Sequence, residues 1–291
     1  MEAKLHKASE VKDEDKLYRY NGVLYPSIVC PEDHLKALDG FQAREDDMLL
    51  VAYPKCGFNW VVALMRKIIT VSTGVKMDVK MPPLMEFFGP NALKDVVQAP
   101  SPRFLGTHLH PDIIPPSFYE KKTKMLVVFR NPKDTVVSYF HFSNNNPVLP
   151  DTTWDSFYSS FMAGDVAWGS YFEHVLAWEK KLNDPNVMLV TYEELKQDLR
   201  SSVRQISEFF SFSLTDDQVQ QISDEGTFAA MKDSAAASHG VMKNVFFRKG
   251  EIGDWKNHFT AEQSQKMDEA FNKHLSGTRL GTKLNYDRYC Q

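Results

Sequence analysis

The chain has 291 residues, 43% of them hydrophobic and 25% charged, with a formal net charge of −4. That length allows one large α/β domain or two small ones around a substantial core, and the mildly acidic balance excludes a general nucleic-acid binder, so any basic site must be local. Three scattered cysteines, Cys30, Cys56 and Cys290, form neither a disulfide framework nor a metal-ligand spacing.

Residues 1–45 are polar, interrupted by Pro26 and Pro31, and residues 1–20 read as flexible. The start, Met1-Glu2-Ala3-Lys4, is charged and lacks an apolar h-region, which argues against a signal peptide. No apolar run approaches a membrane span, so the reduced cytosol is the expected location. Three short, nearly continuous apolar runs follow at 49–52, 125–129 and 187–190. They predict strands covered on both faces of a parallel sheet, with 103–107 as a weaker fourth. Helical patterns at 59–70, 132–142, 168–182, 199–210 and 215–223 alternate with them, and a last helix is expected from about Thr260. The alternation predicts an α/β fold, a central mainly parallel sheet flanked by helices, in a single domain over 1–291. Residues 81–90 and 145–154, with their prolines and aromatics, read as surface loops, and 238–255 as an irregular stretch.

Residues 49–60, Leu-Leu-Val-Ala-Tyr-Pro-Lys-Cys-Gly-Phe-Asn-Trp, form the most informative segment. They read as a strand, an abrupt loop and a helix beginning near Asn59. Such a loop aims backbone N–H groups and a positive dipole at one point, which suits a phosphate, and Lys55 adds a cation. The spacing is not that of an ATP-type loop: lysine precedes Gly57, and the Ser/Thr that would hold magnesium is absent. By itself Lys55 reads more readily as a solvated loop lysine.

In a parallel sheet, ligands bind beyond the carboxyl ends of the strands. Arg130 ends the 125–129 run and precedes Asn131-Pro132, an N-cap and first-turn pair; Tyr192 follows the 187–190 run. A strand-end arginine also suits a structural salt bridge, yet two cations at equivalent places in one sheet favour a shared anion. Ser138 joins them only through its place in the helix that Arg130 introduces. Gly106-Thr107-His108-Leu109-His110 puts a histidine at the sheet edge, a reasonable general base, although an isolated histidine is more often satisfied by nearby backbone. The segment Arg248-Lys249-Gly250-Glu251-Ile252-Gly253-Asp254-Trp255 suits a phosphate wrapped by side chains and amides, or an ordinary basic turn. Phe87, Phe88, Phe140, Phe142, Trp154 and Tyr158 read either as core packing or as an apolar acceptor pocket. No carboxylate cluster points to a metal.

Together these segments resemble the cytosolic sulfotransferase family, which uses 3′-phosphoadenosine 5′-phosphosulfate (PAPS) as donor. Tyr-Pro-Lys-Cys-Gly-Phe-Asn-Trp is similar to that family's Tyr-Pro-Lys-Ser-Gly-Thr-Thr-Trp loop. Residues 129–142 resemble its 3′-phosphate segment and residues 247–257 its C-terminal signature. The resemblance runs from about residue 20 to the end, and Pro-Lys-Cys-Gly with Thr-His-Leu-His resembles sulfotransferase family 6. It implies a P-loop-NTPase-like sulfotransferase fold and a set of roles. Lys55, Cys56, Gly57, Phe58, Asn59 and Trp60 would surround the 5′-phosphosulfate end and the adenine. Arg130 and Ser138 would bind the 3′-phosphate, assisted by Arg248, Lys249 and Gly250. Tyr192, Thr227 and Phe228 match adenosine contacts, His108 matches the catalytic base, and Lys55 would stabilise the transition state.

The implied reaction transfers a sulfuryl group, by in-line attack, to a hydroxyl or amine of a small acceptor. Phenols, iodothyronines such as thyroxine, and sterol-like alcohols suit the aromatic residues, and family 6 points towards thyroxine-like phenols. The other product would be 3′-phosphoadenosine 5′-phosphate (PAP), and no metal is implied. Several positions depart from the family pattern. Gly106 stands where many members carry lysine, with His110 as the candidate substitute. Cys56, Phe58 and Asn59 replace a serine and two threonines, and a thiol beside a lysine at a helix N-terminus is expected to be reactive. The dimer motif Lys-x-x-x-Thr-Val-x-x-x-Glu reads Lys256, Thr260, Ala261 and Gln265, which weakens the expectation of a homodimer. Two competing readings stand beside this one. A non-catalytic nucleotide-binding protein is motivated by Gly106 but opposed by His108 and Lys55; a nucleotide kinase is opposed by the missing Gly-x-x-x-x-Gly-Lys-Ser/Thr.

Overall fold

A run of apolar residues with no polar face has to be covered on both sides, and Met48–Ala52 is buried at every position. In the computed structural model, which describes residues 2–76, 84–232, 243–246 and 248–291, this strand lies inside a four-stranded sheet. Parts of the segments 81–90 and 238–255, and Phe247 of the C-terminal motif, fall outside the described residues.

In chain order, α1 (Glu2–Glu10) leads to a hairpin of β1 (Leu17–Tyr20) and β2 (Val23–Pro26), then α2 (Glu32–Leu38). The sheet begins with β3 (Met48–Ala52), followed by α3 (Phe58–Thr73), α4 (Pro90–Gln98), β4 (Phe104–Thr107), α5 (Ser117–Glu120) and β5 (Lys124–Phe129). Then come α6 (Pro132–Asn144), α7 (Trp154–Ala163), α8 (Tyr171–Glu179) and β6 (Val187–Thr191). After the sheet lie α9 (Tyr192–Gln197), α10 (Leu199–Phe209), α11 (Asp216–Glu225) and a later helix, Ala261–His274. The sheet order is β4-β3-β5-β6, all parallel. Helix α3 packs with α10 and α11, while α6 packs with α7 and with Ala261–His274.

The register decides where the chemistry falls. Val51 pairs with Thr107, Ala52 with Val128, and Phe129 with Thr191. All four strands therefore end on one edge, and the chain leaves it through the loops carrying Lys55, His108 and Arg130 and through the start of α9 at Tyr192. Helix α6 starts as its sequence requires: the Asn131 side chain accepts from the Asp134 N–H, with Pro132 in the first turn.

Four differences from the sequence expectation have local causes. Within the polar entry segment lies a hairpin that the sequence reading did not assign: Asn21-Gly22, both at positive φ, form the tight turn that closes β1 on β2. The helix expected at 168–182 is shorter, because Trp168 (φ 63°) and Gly169 (φ 77°) leave helical space and Ser170 caps the start at Tyr171. Helix α4, absent from the expectation, opens with Pro90 in its first turn. The loop expected at 145–154 ends in α7, capped by Thr153, whose aromatics Trp154, Phe157, Tyr158 and Phe161 follow helical spacing.

Candidate active site

At the carboxyl edge of the sheet opens a cavity of about 330 Å³. Lys55, Gly57, Phe58, Asn59 and Trp60 line it from the β3–α3 loop and helix start, and Arg130 and Ser138 from β5–α6. His108, Tyr192, Phe228, Arg248, Lys249 and Gly250 complete the candidate set on its wall. Two residues of the implied donor set do not line it. The Thr227 hydroxyl accepts from the Ala230 N–H and caps the turn beyond, on the outer surface. The Cys56 side chain turns inward, 3.7 Å from the Thr135 hydroxyl, and is fully buried. Burial pushes its thiol up to about 12, outweighing the Thr135 hydroxyl and the Arg130 charge. The expectation of a reactive thiol is corrected accordingly.

Lys55 adopts a left-handed conformation (φ 70°) that swings it off the strand end. Its Nζ lies 4.1 Å from the centre of the Phe142 ring. Burial, then the like charges of Arg130 and Arg248, lower its pKa to about 7. No ion pair to Lys55 occurs among the described residues. Its neighbour Gly57 sits at φ 106° as the N-cap of α3, a backbone geometry that suits glycine.

Arg130 is nearly buried, its guanidinium 4.3 Å from the Tyr192 ring centre and one Nη donating to the Glu251 carbonyl at 2.7 Å. Its Nε is buried and finds no hydrogen-bond partner among the described residues. A buried network anchors this corner. Asn131 donates to Glu193 (2.7 Å) and Asp134 (2.8 Å), and Asp134 in turn accepts from the Gly253 N–H (2.8 Å). This fastens the C-terminal segment to the end of β5. Within that segment Asp254 accepts from Arg248, Lys249 and Asn257. Burial works against its charge, but these bonds hold its carboxyl far below the usual range. Gly250 (φ 71°) lies so close to Phe228 that a Cβ there would collide with the ring. Trp60 meets Tyr192 edge-on at 5.2 Å and Phe228 at 6.5 Å, an apolar slot beside the cations.

His108 sits across from this cluster. Its Nδ1 lies 2.7 Å from the Ala52 carbonyl, which accepts only, so Nδ1 carries the proton and Nε2 keeps its lone pair. The ring packs edge-on against Phe58 (4.8 Å) and Trp168 (5.3 Å). Burial, then Lys55, lowers its pKa to about 4, against the pull of the Ala52 carbonyl. Behind it lies a residue the sequence reading missed. Glu86 is fully buried and accepts from the His108 backbone N–H (2.8 Å) and the Thr107 hydroxyl (2.9 Å). Burial raises its pKa to about 7, with those bonds opposing. The available signal was one acid amid apolar neighbours, Met85-Glu86-Phe87-Phe88.

The apolar side of the cavity also differs from expectation. Phe87, Phe88 and Phe142 line it, but Phe140, Trp154 and Tyr158 do not. Phe140 packs on Trp154 (5.4 Å), and Trp154 and Tyr158 pack on Phe259 at 5.5 Å, away from the opening. Val148, Leu149, Trp168 and Phe246 take their place. His110 also points elsewhere. Its Nδ1 accepts from the Asp112 N–H, and its ring faces His174 rather than the cavity. It does not replace the cation missing at Gly106, a β4 residue whose carbonyl accepts from the Met85 N–H.

Among the described residues no cluster of metal-ligating side chains is found, and no helix is long and apolar enough to cross a membrane. Comparison with known proteins gives this geometry its family. The family described as Sulfotransferase domain matches residues 45–279. Sulfotransferase 6B1 of Danio rerio is 57% identical over 100% of this chain and 99% of its own length, and that of Mus musculus 44% identical over 98% and 95%. The crystal structure of mouse sulfotransferase SULT7A1, solved with PAP, superimposes with a TM-score of 0.83 at 34% identity, covering 93% of this chain and 99% of that one. The chain belongs to the sulfotransferase family, in its family-6 group, and is an enzyme of sulfuryl transfer.

Proposed function

We propose that the chain transfers a sulfuryl group from PAPS to the hydroxyl or amine of a small, largely apolar acceptor, releasing PAP. The observation that supports this best is that four cations, Lys55, Arg130, Arg248 and Lys249, and a Nδ1-protonated histidine converge on one cavity beyond the sheet. The cavity fits a doubly phosphorylated nucleotide on three counts. Among the described residues the buried Arg130 Nε lacks a partner and Lys55 carries no ion pair, and Gly250 leaves backbone against Phe228 where a side chain would not fit.

Arg130, Ser138, Arg248, Lys249 and Gly250 would hold the 3′-phosphate, and Trp60, Tyr192 and Phe228 the adenine. The β3–α3 loop, Lys55 to Asn59, would hold the 5′ end through backbone N–H groups and the Asn59 amide, Cys56 contributing its backbone alone. The donor supplies an activated sulfuryl group on a phosphate leaving group. As the acceptor oxygen bonds to sulfur and the bridging oxygen departs, His108 Nε2 takes the acceptor proton. The Lys55 ammonium stabilises charge growing on the departing oxygen. Phe87, Phe88, Val148, Leu149 and Trp168 favour flat or ring-shaped acceptors, such as phenols, thyroxine-like phenols and sterol-like alcohols.

A second reading, donor binding without transfer, rests on Gly106. Labelled sulfate offered as PAPS separates the two: transfer to at least one phenol or alcohol is expected, lost by about a thousandfold in His108→Ala. Donor binding without transfer to any acceptor would leave the second reading standing. The proposal extends to a single domain acting in the cytosol. Thr260, Ala261 and Gln265 lie exposed near the start of the helix Ala261–His274. Light scattering is expected to show weaker association than an intact dimer motif supports.

A further inference from the structure

Beyond β4 the chain loses its sheet partners, yet the peptide carrying His108 is buried and must satisfy its polar groups otherwise. Three side chains meet that need. Glu86 accepts from the His108 N–H, and the Thr107 hydroxyl accepts from the Leu109 N–H at 3.0 Å. The carbonyls face the opposite way, towards α8. There His174 Nε2 lies 3.3 Å from the His108 carbonyl oxygen and 3.2 Å from that of Leu109. Both partners only accept, so Nε2 carries the proton and donates to the two carbonyls together.

The rest of the His174 environment fixes that tautomer and its orientation. The ring is almost fully buried, edge-on to Tyr53 and Phe129 at 5.6 Å each and to His110 at 5.9 Å. Its Nδ1 is buried and finds no hydrogen-bond partner among the described residues. A second proton there would be an unpaired buried charge, so the ring stays neutral. Burial, then His110, places its pKa at about 3, against the pull of the two carbonyls.

We infer that His174 is a positioning residue for His108, holding the base's peptide through two carbonyls while Glu86 holds it through the N–H; this rests on His108 being the base. The clamp connects α8 to the acceptor side. Helix α8 starts soon after Trp168, whose ring packs on His108, so the base touches this wall residue with its ring and α8 with its carbonyl. Leucine would fill this volume, but it would leave two buried carbonyls unsatisfied.

The test compares His174→Phe, which keeps a ring without a donor, with His174→Gln, which keeps N–H donors. Phe is expected to lower kcat by about tenfold to a hundredfold through misplacement of the base, with PAP affinity by calorimetry unchanged within about twofold. Gln is expected to keep at least about a third of wild-type kcat. A readout independent of turnover is the ¹⁵N ring spectrum of His108: one Nδ1–H tautomer in wild type and Gln, a mixture in Phe. Wild-type turnover and wild-type ring signals in the Phe variant overturn the inference. If that chain does not fold, His174→Met makes the same comparison, and a folded Gln variant as slow as His108→Ala overturns it too. Undiminished turnover in His108→Ala would instead sink the base assignment, while the ring signals still report the clamp.

Discussion

The two sides of the cavity are built by different means. The cationic side is fixed by backbone: four parallel strands in register deliver Lys55, Arg130 and Tyr192 to one edge, and glycines at positive φ admit close approach at 57 and 250. The apolar side is fixed by packing alone, from side chains on β2, the 84–88 segment, the 145–149 loop and Trp168. Geometry that a register imposes changes little with any one side chain. Geometry that packing imposes changes with each of them. Donor binding should therefore respond to charge and to glycine, and acceptor choice to volume.

The sharpest way to break this contrast is to remove the Lys55 cation. Lys55→Met is expected to lower kcat by about a hundredfold to a thousandfold while the fold holds, since a half-buried charge repelled by Arg130 and Arg248 is removed. The pH dependence follows from the same group. Free Lys55 has a pKa lowered to about 7, and a bound anion raises it. Below pH 7 lysine is charged in both states and PAP affinity is flat. Above pH 7 binding takes up a proton, so affinity falls as pH rises, by up to about tenfold per pH unit. Calorimetry in two buffers measures the uptake, and the Met variant is expected to show none between pH 7 and 9. Equal proton uptake in that variant would assign the linkage elsewhere.

Gly250→Ala comes next. A methyl against Phe228 at a left-handed backbone position is expected to weaken PAP binding about tenfold, with acceptor KM at saturating donor unchanged. Phe88→Ala should do the reverse, raising KM for bulky phenols about tenfold while PAP affinity stays constant. If either substitution moved both constants together, the two sides would not be separable. The smallest effect is expected for Cys56→Ser. A buried thiol with its pKa raised to about 12 resists peroxide, so inactivation rates of the two chains should agree within about twofold.

Much of the cationic side was legible in the chain itself. An apolar run ending in Tyr-Pro-Lys-Cys-Gly, a second ending in Phe-Arg-Asn-Pro, and a basic stretch spaced by glycines each carry a local signal. Charge and positive-φ glycine are expensive to place without a reason. The apolar side was half legible. Phe142 faces the cavity and Phe140 faces α7: two positions apart on one helix they point to different faces, and only packing decides which face meets the cavity. His110 and His108 lie two residues apart on one loop, yet one turns to α8 and the other to the cavity.

The sequence by itself determined the strand–helix alternation, the parallel sheet and the residues that suit a phosphate, since these follow from periodicity, capping and local backbone needs. Only the tertiary structure decided which groups surround His108. Glu86, Ala52 and His174 are 22, 56 and 66 residues from His108. Their contacts satisfy buried backbone groups left open where β4 ends, and no local pattern records which distant side chain closes such a gap.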